Sequence, residues 1–331
     1  MTGMSKPAGE GLAAHERVLP GRLDARRTEW NAMIAKLPTA TLGNTNLNVT
    51  RLGYGAMEVR GAPRGRDVTD DQARTILNAV LDSGISYIDT ANDYGRSEEH
   101  IGRFLGARRH EYTLATKCGC VPGGGAHVWT RENLFRGLEE SLQRLKTDYV
   151  DVMQLHNPTV EQAEANDVVA SLEAMRAEGK VRWIGISTTQ PHLSTYLDWG
   201  SFDVFQIPYS AVLREHEAWI GKAAEAGIGT VIRGGVGKGE PGVGLATEER
   251  WAPYRAAKLD DLRDPEESPT AFMLRFTLSH PGIQTIITGT VNPDHLAENV
   301  AAARRGPLPA DTYAEAKRRL SGAGQEPGSA P

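Results

Sequence analysis

Four side chains in the first half of this 331-residue chain are of types that move protons, and each stands at a similar place in its surroundings. Asp89 closes the short run SYID (Ser86 to Asp89), and Tyr94 follows five residues later. Lys117 follows YTLAT (Tyr112 to Thr116), and His156 follows YVDVMQL (Tyr149 to Leu155). Delivering hydride to a carbonyl carbon requires a proton at its oxygen. A phenol, with an ordinary pKa of about 10, is a weak candidate near pH 7. An adjacent ammonium is expected to lower that value, and a carboxylate to hold the ammonium charged. An imidazole facing the same oxygen can donate to it and position it. Singly, each residue has an ordinary explanation: a turn-capping Asp, a solvated Lys, a turn His before Asn157–Pro158. Their joint arrival at the ends of successive apolar runs is harder to assign to chance.

Those runs alternate with helix-like segments along most of the chain. The expected strands are Arg51 to Gly55, Ser86 to Asp89, Tyr112 to Thr116, Tyr149 to Leu155, Val181 to Ser187, Val204 to Ile207, Gly229 to Arg233 and Thr285 to Thr288. Helices are expected over Asp70 to Ser83, Thr130 to Leu145, Val160 to Ala177, Gln190 to Asp198, Arg214 to Glu225, Pro269 to Ser279 and Pro293 to Ala303. Thr69 and Thr130 are suited to cap helices, and Gly84, Gly179 and Gly227 to end them. Repeated strand–helix order implies an α/β fold with a parallel sheet. Eight units predict a (β/α)8 TIM barrel, with an open doubly wound sheet as the competing arrangement. The segment Thr41 to Val49 reads as a β-hairpin around Gly43–Asn44, capping one barrel end. In such barrels the active site lies at the C-terminal strand ends, where Asp89, Lys117 and His156 fall, with Tyr94 in the loop beside them.

The barrel is expected over residues 39–320, between an N-terminal extension (1–38) and a disordered tail (321–331); both are peripheral. The extension contains one plausible helix, Leu23 to Lys36, and the tail SGAGQEPGSAP has little to bury. Hydrophobic residues at 40% and charged residues at 24% are ordinary for a globular domain. A net charge of -5 gives no pull toward nucleic acid or an anionic membrane. No stretch approaches the roughly 20 apolar residues of a membrane span, and Met1 to Ala14 lacks the order of a signal peptide. Two cysteines, Cys118 and Cys120, make no disulfide framework, so a reducing, cytoplasmic setting is expected. With His127 they form Cys-x-Cys plus one His, which matches no usual zinc spacing, and no metal is expected.

The segments IDTANDYG (Ile88 to Gly95), ATK (Ala115 to Lys117) and Leu155–His156 resemble the catalytic signature of the aldo-keto reductases. The resemblance runs from about Thr41 to Pro309 and includes LGYG (Leu52 to Gly55), KVRWIGIS (Lys180 to Ser187), QIPYS (Gln206 to Ser210) and PDHLAEN (Pro293 to Asn299). It implies an NADP(H)- or NAD(H)-dependent oxidoreductase interconverting an aldehyde or ketone and its alcohol. Tyr94 would be general acid and base, assisted by Lys117, Asp89 and His156. An alternative within the resemblance is a nucleotide-binding regulatory subunit of the channel-associated type.

The resemblance also implies a cofactor lying across the C-terminal rim. Ser187 and Gln206 would hold the nicotinamide carboxamide; Thr188 stands where relatives usually have Asn. Arg233 replaces a stacking Tyr, at the head of RGGVGKG. Gly234, Gly235 and Val236 would let backbone amides approach the pyrophosphate, and Lys238 would add a phosphate contact. The literal G-x-G-x-x-G of Gly237 to Gly242 is interrupted by Pro241 and opens no helix, so it is not read as a Rossmann fingerprint. Where NADP-preferring relatives carry Lys and Arg, this chain has Gly289 and His295. Thr290, Asn292 and the following helix N-terminus remain for a 2′-phosphate, with Glu298 and Asn299 nearby, and NADP(H) is favoured over NAD(H). The substrate would meet Met57, Glu58 and Trp129, with Trp251 and Tyr254 contributing from the long segment Gly234 to Ser268; Met57 and Trp129 favour an apolar or aromatic carbonyl, Glu58 and Arg60 a hydroxylated one such as a sugar.

Overall fold

The computed structural model describes residues 36–121 and 124–330. The helix expected over Leu23 to Lys36 lies, but for its last residue, outside them. Two short strands, β1 (Thr39–Thr41) and β2 (Asn48–Thr50), pair antiparallel. Eight more follow: β3 (Leu52–Gly55), β4 (Tyr87–Asp89), β5 (Thr113–Cys118), β6 (Val150–His156), β7 (Val181–Ser187), β8 (Val204–Pro208), β9 (Gly229–Arg233) and β10 (Thr285–Thr288). They pair in parallel and close, β10 joining both β3 and β9. This is the expected barrel, and closure excludes the open sheet. The strands read as near-continuous apolar runs because helices cover their outer faces while side chains fill the barrel inside. β6 is buried from Val150 to Leu155 and opens only at His156.

The hairpin seats against the N-terminal ends of the strands. Leu42, Leu47 and Val49 pack with Tyr87, Ala115, Val152, Val204 and Val231 as one small apolar cluster. Glycines make this approach possible. A Cβ on Gly43 would lie 2.3 Å from the Gly229 nitrogen, and one on Gly227 would lie 2.1 Å from Asn44 Nδ2. Both have positive φ, so a side chain there is strained twice over.

Helix starts follow the sequence signals. Thr69 and Gln72 form a reciprocal capping box ahead of Asp70–Asp82. Thr130 accepts from the Asn133 nitrogen ahead of Arg131–Leu145. The structure adds three helices the sequence reading passed over: Ser97–Leu105, Glu248–Ala256 and Ala310–Gly322. It also divides Val160–Ala177 in two at Asp167, whose φ is 45°. Pro253 inside Glu248–Ala256 disguises that helix, although Thr247 caps it. Beyond Gly322 the described residues carry contacts: Arg214 donates to the Gln325 carbonyl at 2.9 Å, and Ala330 packs against the core. The guanidinium thus gives this apolar-poor segment a polar anchor that composition does not reveal.

Candidate active site

Strand register brings the expected residues to one layer of the C-terminal rim. Asp89 pairs with Ala115, Lys117 with Gln154, His156 with Ser187, and Ser187 with Gln206. Lys117 is 1% exposed, and its Nζ donates to Asp89 Oδ1 at 2.5 Å and to the Thr90 carbonyl at 2.8 Å. Asp89 Oδ2 accepts from Gln154 Nε2 and Gln206 Nε2, each at 2.8 Å. A buried ion pair is tolerable only when further hydrogen bonds saturate it, and the two amides do this. Gln206, expected among the cofactor contacts, thus also orients the carboxylate. Gln154 was not anticipated; its signal is a lone amide in the otherwise apolar run VMQL.

Tyr94 is carried by the loop between β4 and the helix Ser97–Leu105. Its nitrogen bonds the Ala91 carbonyl at 3.1 Å, and its own carbonyl accepts from the Ser97 nitrogen at 2.8 Å. The phenol ring lies 5.0 Å from Lys117 Nζ and meets the His156 ring edge-on at 5.9 Å. Burial raises the phenol's pKa above its ordinary value, and the Lys117 charge, which lowers it, does not prevail. The expectation that the ammonium brings this pKa down is therefore corrected: desolvation of a phenolate in this recess costs more than one cation returns. Tyr94 is therefore a neutral phenol at pH 7.

His156 is also neutral. Burial, then Lys117, His127 and Arg233, push its pKa down to about 2. Its Nδ1 lies 3.4 Å from Cys120 Sγ and 3.7 Å from Asp93 Oδ1, while its carbonyl bonds His127 Nδ1 at 2.9 Å. Cys118 turns elsewhere, toward the Gln154 carbonyl at 3.6 Å. The fold thus separates the two cysteines that the sequence groups, and gives one of them Asp93 and His156 as neighbours.

The expected cofactor wall is continuous with this set. Ser187 Oγ donates to Asn157 Oδ1 at 3.2 Å, and the Asn157 nitrogen returns to the Ser187 carbonyl at 3.1 Å. Asn157, in the left-handed region at φ 61°, was read only as part of a turn. Thr188 is buried, its hydroxyl reaching the Thr189 carbonyl at 3.5 Å. Arg233 pairs with Pro208 across β8 and β9, and burial lowers its pKa. Its Nε is buried without a partner among the described residues.

After Arg233, Gly234 is exposed with open space around it, whereas a Cβ on Gly235 would lie 2.5 Å from Ile286. Gly235 is thus needed for packing against β10. Val236 is half-buried, and Lys238 is exposed at φ 71°. Gly289 has no room for a side chain, since a Cβ would meet the Gly55 carbonyl at 2.6 Å. Asn292 caps Pro293–Arg305 by accepting from the Asp294 nitrogen, and its own nitrogen bonds Thr290 Oγ1 at 3.0 Å. His295 and Glu298 are half-buried on that helix, and Asn299 is buried.

On the substrate side, Met57 is exposed, and Glu58 is flanked by Arg60 at 3.7 Å and Arg66 at 3.6 Å. Trp129 is buried: its indole donates to Gln162 Oε1, and its ring packs edge-on against His127. It backs His127. Trp251 and Tyr254 are each 1% exposed and pack against each other in the core with their rings tilted by 46°, Trp251 bonding the Gly237 carbonyl. Their expected place in the pocket is corrected, because two large rings on one helix turn gain more from burial than a rim position offers.

The comparisons with known proteins agree with this geometry. The sequence model of the Aldo/keto reductase family matches residues 51–319. An uncharacterized oxidoreductase, YqkF of Bacillus subtilis, is 30% identical over 282 residues, covering 79% of this chain and 90% of its own. The L-galactose dehydrogenase of Arabidopsis thaliana is 26% identical over 292 residues, covering 81% and 89%. Among solved structures, the holo form of aldo-keto reductase AKR11C1 from Bacillus halodurans superposes with a TM-score of 0.75 at 28% identity, covering 86% of this chain and 96% of that one. The channel-associated alternative receives no support from these relatives. No helix among the described residues is long and apolar enough to cross a membrane. In sequence pattern, strand topology and rim geometry alike, the chain belongs to the aldo/keto reductase family.

Proposed function

We propose that this protein is a nicotinamide-dependent carbonyl reductase, with Tyr94 as general acid and Lys117, Asp89 and His156 as its supporting residues. The observation that carries the reading is the buried Lys117–Asp89 pair set behind a neutral phenol. Tyr94 gives its proton to the substrate oxygen as charge develops there. Lys117, held by Asp89 and the Thr90 carbonyl, stabilises the phenolate left behind. His156, neutral, donates a hydrogen bond that fixes the carbonyl in line.

The cofactor supplies hydride when bound. The rim fits it: Ser187, Asn157 and Gln206 offer amide and hydroxyl partners for a carboxamide, with Asn157 taking over from the Asn that Thr188 replaces. Arg233 Nε, buried without a partner among the described residues, would be free to donate to a phosphate oxygen. NADP(H) is the favoured form, through Thr290, Asn292, His295 and the N-terminus of Pro293–Arg305. Asp294 in that first turn opposes a 2′-phosphate, so the margin over NAD(H) is narrow. The charged mouth of Glu58, Arg60, Arg64 and Asp93 suits a small hydroxylated carbonyl better than an apolar one. Among the relatives, a D-threo-aldose 1-dehydrogenase of a Pseudomonas species and a 6-dehydroglucose reductase of Novosphingobium aromaticivorans carry sugar-related names.

The test is direct. Fluorescence titration with NADPH and NADH measures the cofactor preference, and a panel of aldehydes, ketones and sugars then measures turnover. Replacing Tyr94→Phe should leave cofactor affinity within about twofold while kcat falls roughly 10² to 10⁴-fold. Unchanged kcat in that variant would overturn the role of Tyr94.

A further inference from the structure

A second constellation sits beside the proton-transfer set and shares only His156 with it. Asp93, Cys120, His127 and His156 each offer a donor atom, and these atoms all lie within 4.8 Å of one another. They come from two loops and a strand end: Asp93 after β4, Cys120 and His127 after β5, and His156 closing β6. His156 Nδ1 is 3.4 Å from Cys120 Sγ and 3.7 Å from Asp93 Oδ1.

Two details suit a metal better than a hydrogen-bonded cluster. A carbonyl only accepts, so His127 Nδ1, 2.9 Å from the His156 carbonyl, carries the proton and leaves Nε2 its lone pair. Metal-bound histidines are commonly fixed this way through their far nitrogen. Arg64 lies 3.3 Å from Asp93 Oδ2, whereas Oδ1, the oxygen facing His156, is buried with no hydrogen-bond partner. Asp93 is thus oriented from one side and unsatisfied on the other.

The donor set and its dimensions select the ion. Bonds of about 2.0 to 2.3 Å to N, O and S place tetrahedral zinc ligands roughly 3.3 to 3.8 Å apart. Both separations from His156 Nδ1 already lie in that range, and the widest pair needs to close by only about 1 Å. One thiolate, two imidazoles and a carboxylate favour Zn²⁺ over Mg²⁺ or Ca²⁺. Asp93, His127 and His156 are only partly buried, which leaves an ion a way in.

We propose that Asp93, Cys120, His127 and His156 form a reversible zinc site at the mouth of the active site, and that zinc bound there inhibits the enzyme by engaging His156. The inhibitory half rests on the reductase reading above; the site itself does not. Binding displaces the Cys120 thiol proton to solvent, and no electron is transferred.

The experiment uses the full chain after chelator treatment. Zn²⁺ is titrated against a chromophoric chelator, and Co²⁺ is followed by absorption. One equivalent should bind, and cobalt should show the intense visible bands of a four-coordinate site with a thiolate charge-transfer band. Cys120→Ser should abolish the thiolate band and weaken zinc at least tenfold, and His127→Ala should weaken it as much. Cys118→Ser should change neither, and circular dichroism melts confirm that each variant is folded. Absence of stoichiometric binding, a six-coordinate cobalt spectrum, or affinity unchanged in both Cys120→Ser and His127→Ala would overturn the site. In the turnover assay, stoichiometric zinc should inhibit, EDTA should restore the rate, and either variant should need at least tenfold more zinc. Zinc that binds with the expected spectrum but leaves turnover unaffected overturns the inhibition alone. A protein that turns over no carbonyl fails the reductase reading, and with it the inhibition, while the cobalt spectrum still decides the site.

Discussion

At the scale of single residues, function depends on which of two opposed effects prevails on each ionisable group. For Tyr94, desolvation outweighs the Lys117 charge, so its pKa is raised. A raised pKa keeps the donor protonated through neutral pH, and the donor is lost only as pH climbs through that raised value. The kcat for carbonyl reduction should therefore stay flat through the phenol's step from pH 6 to 9. It should fall only in the alkaline range above about 10, the ordinary phenol value. A pH–rate profile with a descending limb centred near 8 would contradict this. For Asp89, three side-chain donors converge on one carboxylate. Asp89→Asn strands the Lys117 ammonium in a buried place, and removing one partner of such a pair costs roughly 3 to 5 kcal/mol. Urea unfolding should show that loss with an unchanged m-value, alongside a lower kcat.

At the scale of elements, loops and helix contacts position these residues. Tyr94 is held because its carbonyl begins the turn into Ser97–Leu105, and that helix lies directly on Arg131–Leu145. At the crossing, a Cβ on Gly102 would lie 2.1 Å from the Arg144 carbonyl oxygen and 2.6 Å from the Leu145 carbonyl carbon. Helix propensity alone makes Gly102→Ala stabilising by about 1 kcal/mol. Overpacking against backbone, which cannot rotate away, costs typically 1 to 3 kcal/mol. The second effect should win, lowering Tm by several degrees and loosening Tyr94, visible as reduced kcat at low temperature. The starts of Asp70–Asp82 and Arg131–Leu145 were legible because a threonine cap is a local signal. Ser97–Leu105 was missed because Arg96, its N-cap, makes no side-chain cap.

At the scale of the whole molecule, buried histidines tie stability to pH. His280 accepts from the Gly282 nitrogen at Nδ1, 3.1 Å away, and bonds the Glu217 carbonyl through Nε2 at 2.9 Å. That pairing requires the neutral ring, and burial lowers the pKa of both His280 and His216. A histidine whose folded pKa lies below its unfolded value of about 6.5 contributes fully above that pH. Its contribution fades as pH falls from there toward the lowered folded value, because only the unfolded chain takes up the proton. Urea midpoints should therefore drop between pH 7 and pH 5, and less so in His280→Gln. Equal drops in both proteins would remove His280 from the account.

The strand–helix alternation, the eight-unit count and the gathering of Asp89, Tyr94, Lys117 and His156 at one rim were all legible in the sequence, since periodicity, caps and strand-end polar residues are local properties of a chain. The tertiary structure decided what depends on neighbours distant in sequence. It set Gln154 and Gln206 on Asp89, placed Asn157 beside Ser187, sent Trp251 and Tyr254 into the core, and reversed the expected direction of the Tyr94 pKa. It also split Cys118 from Cys120 and set the latter beside Asp93 and His156. Burial and donor geometry are sums over all surrounding elements, and no single segment carries them.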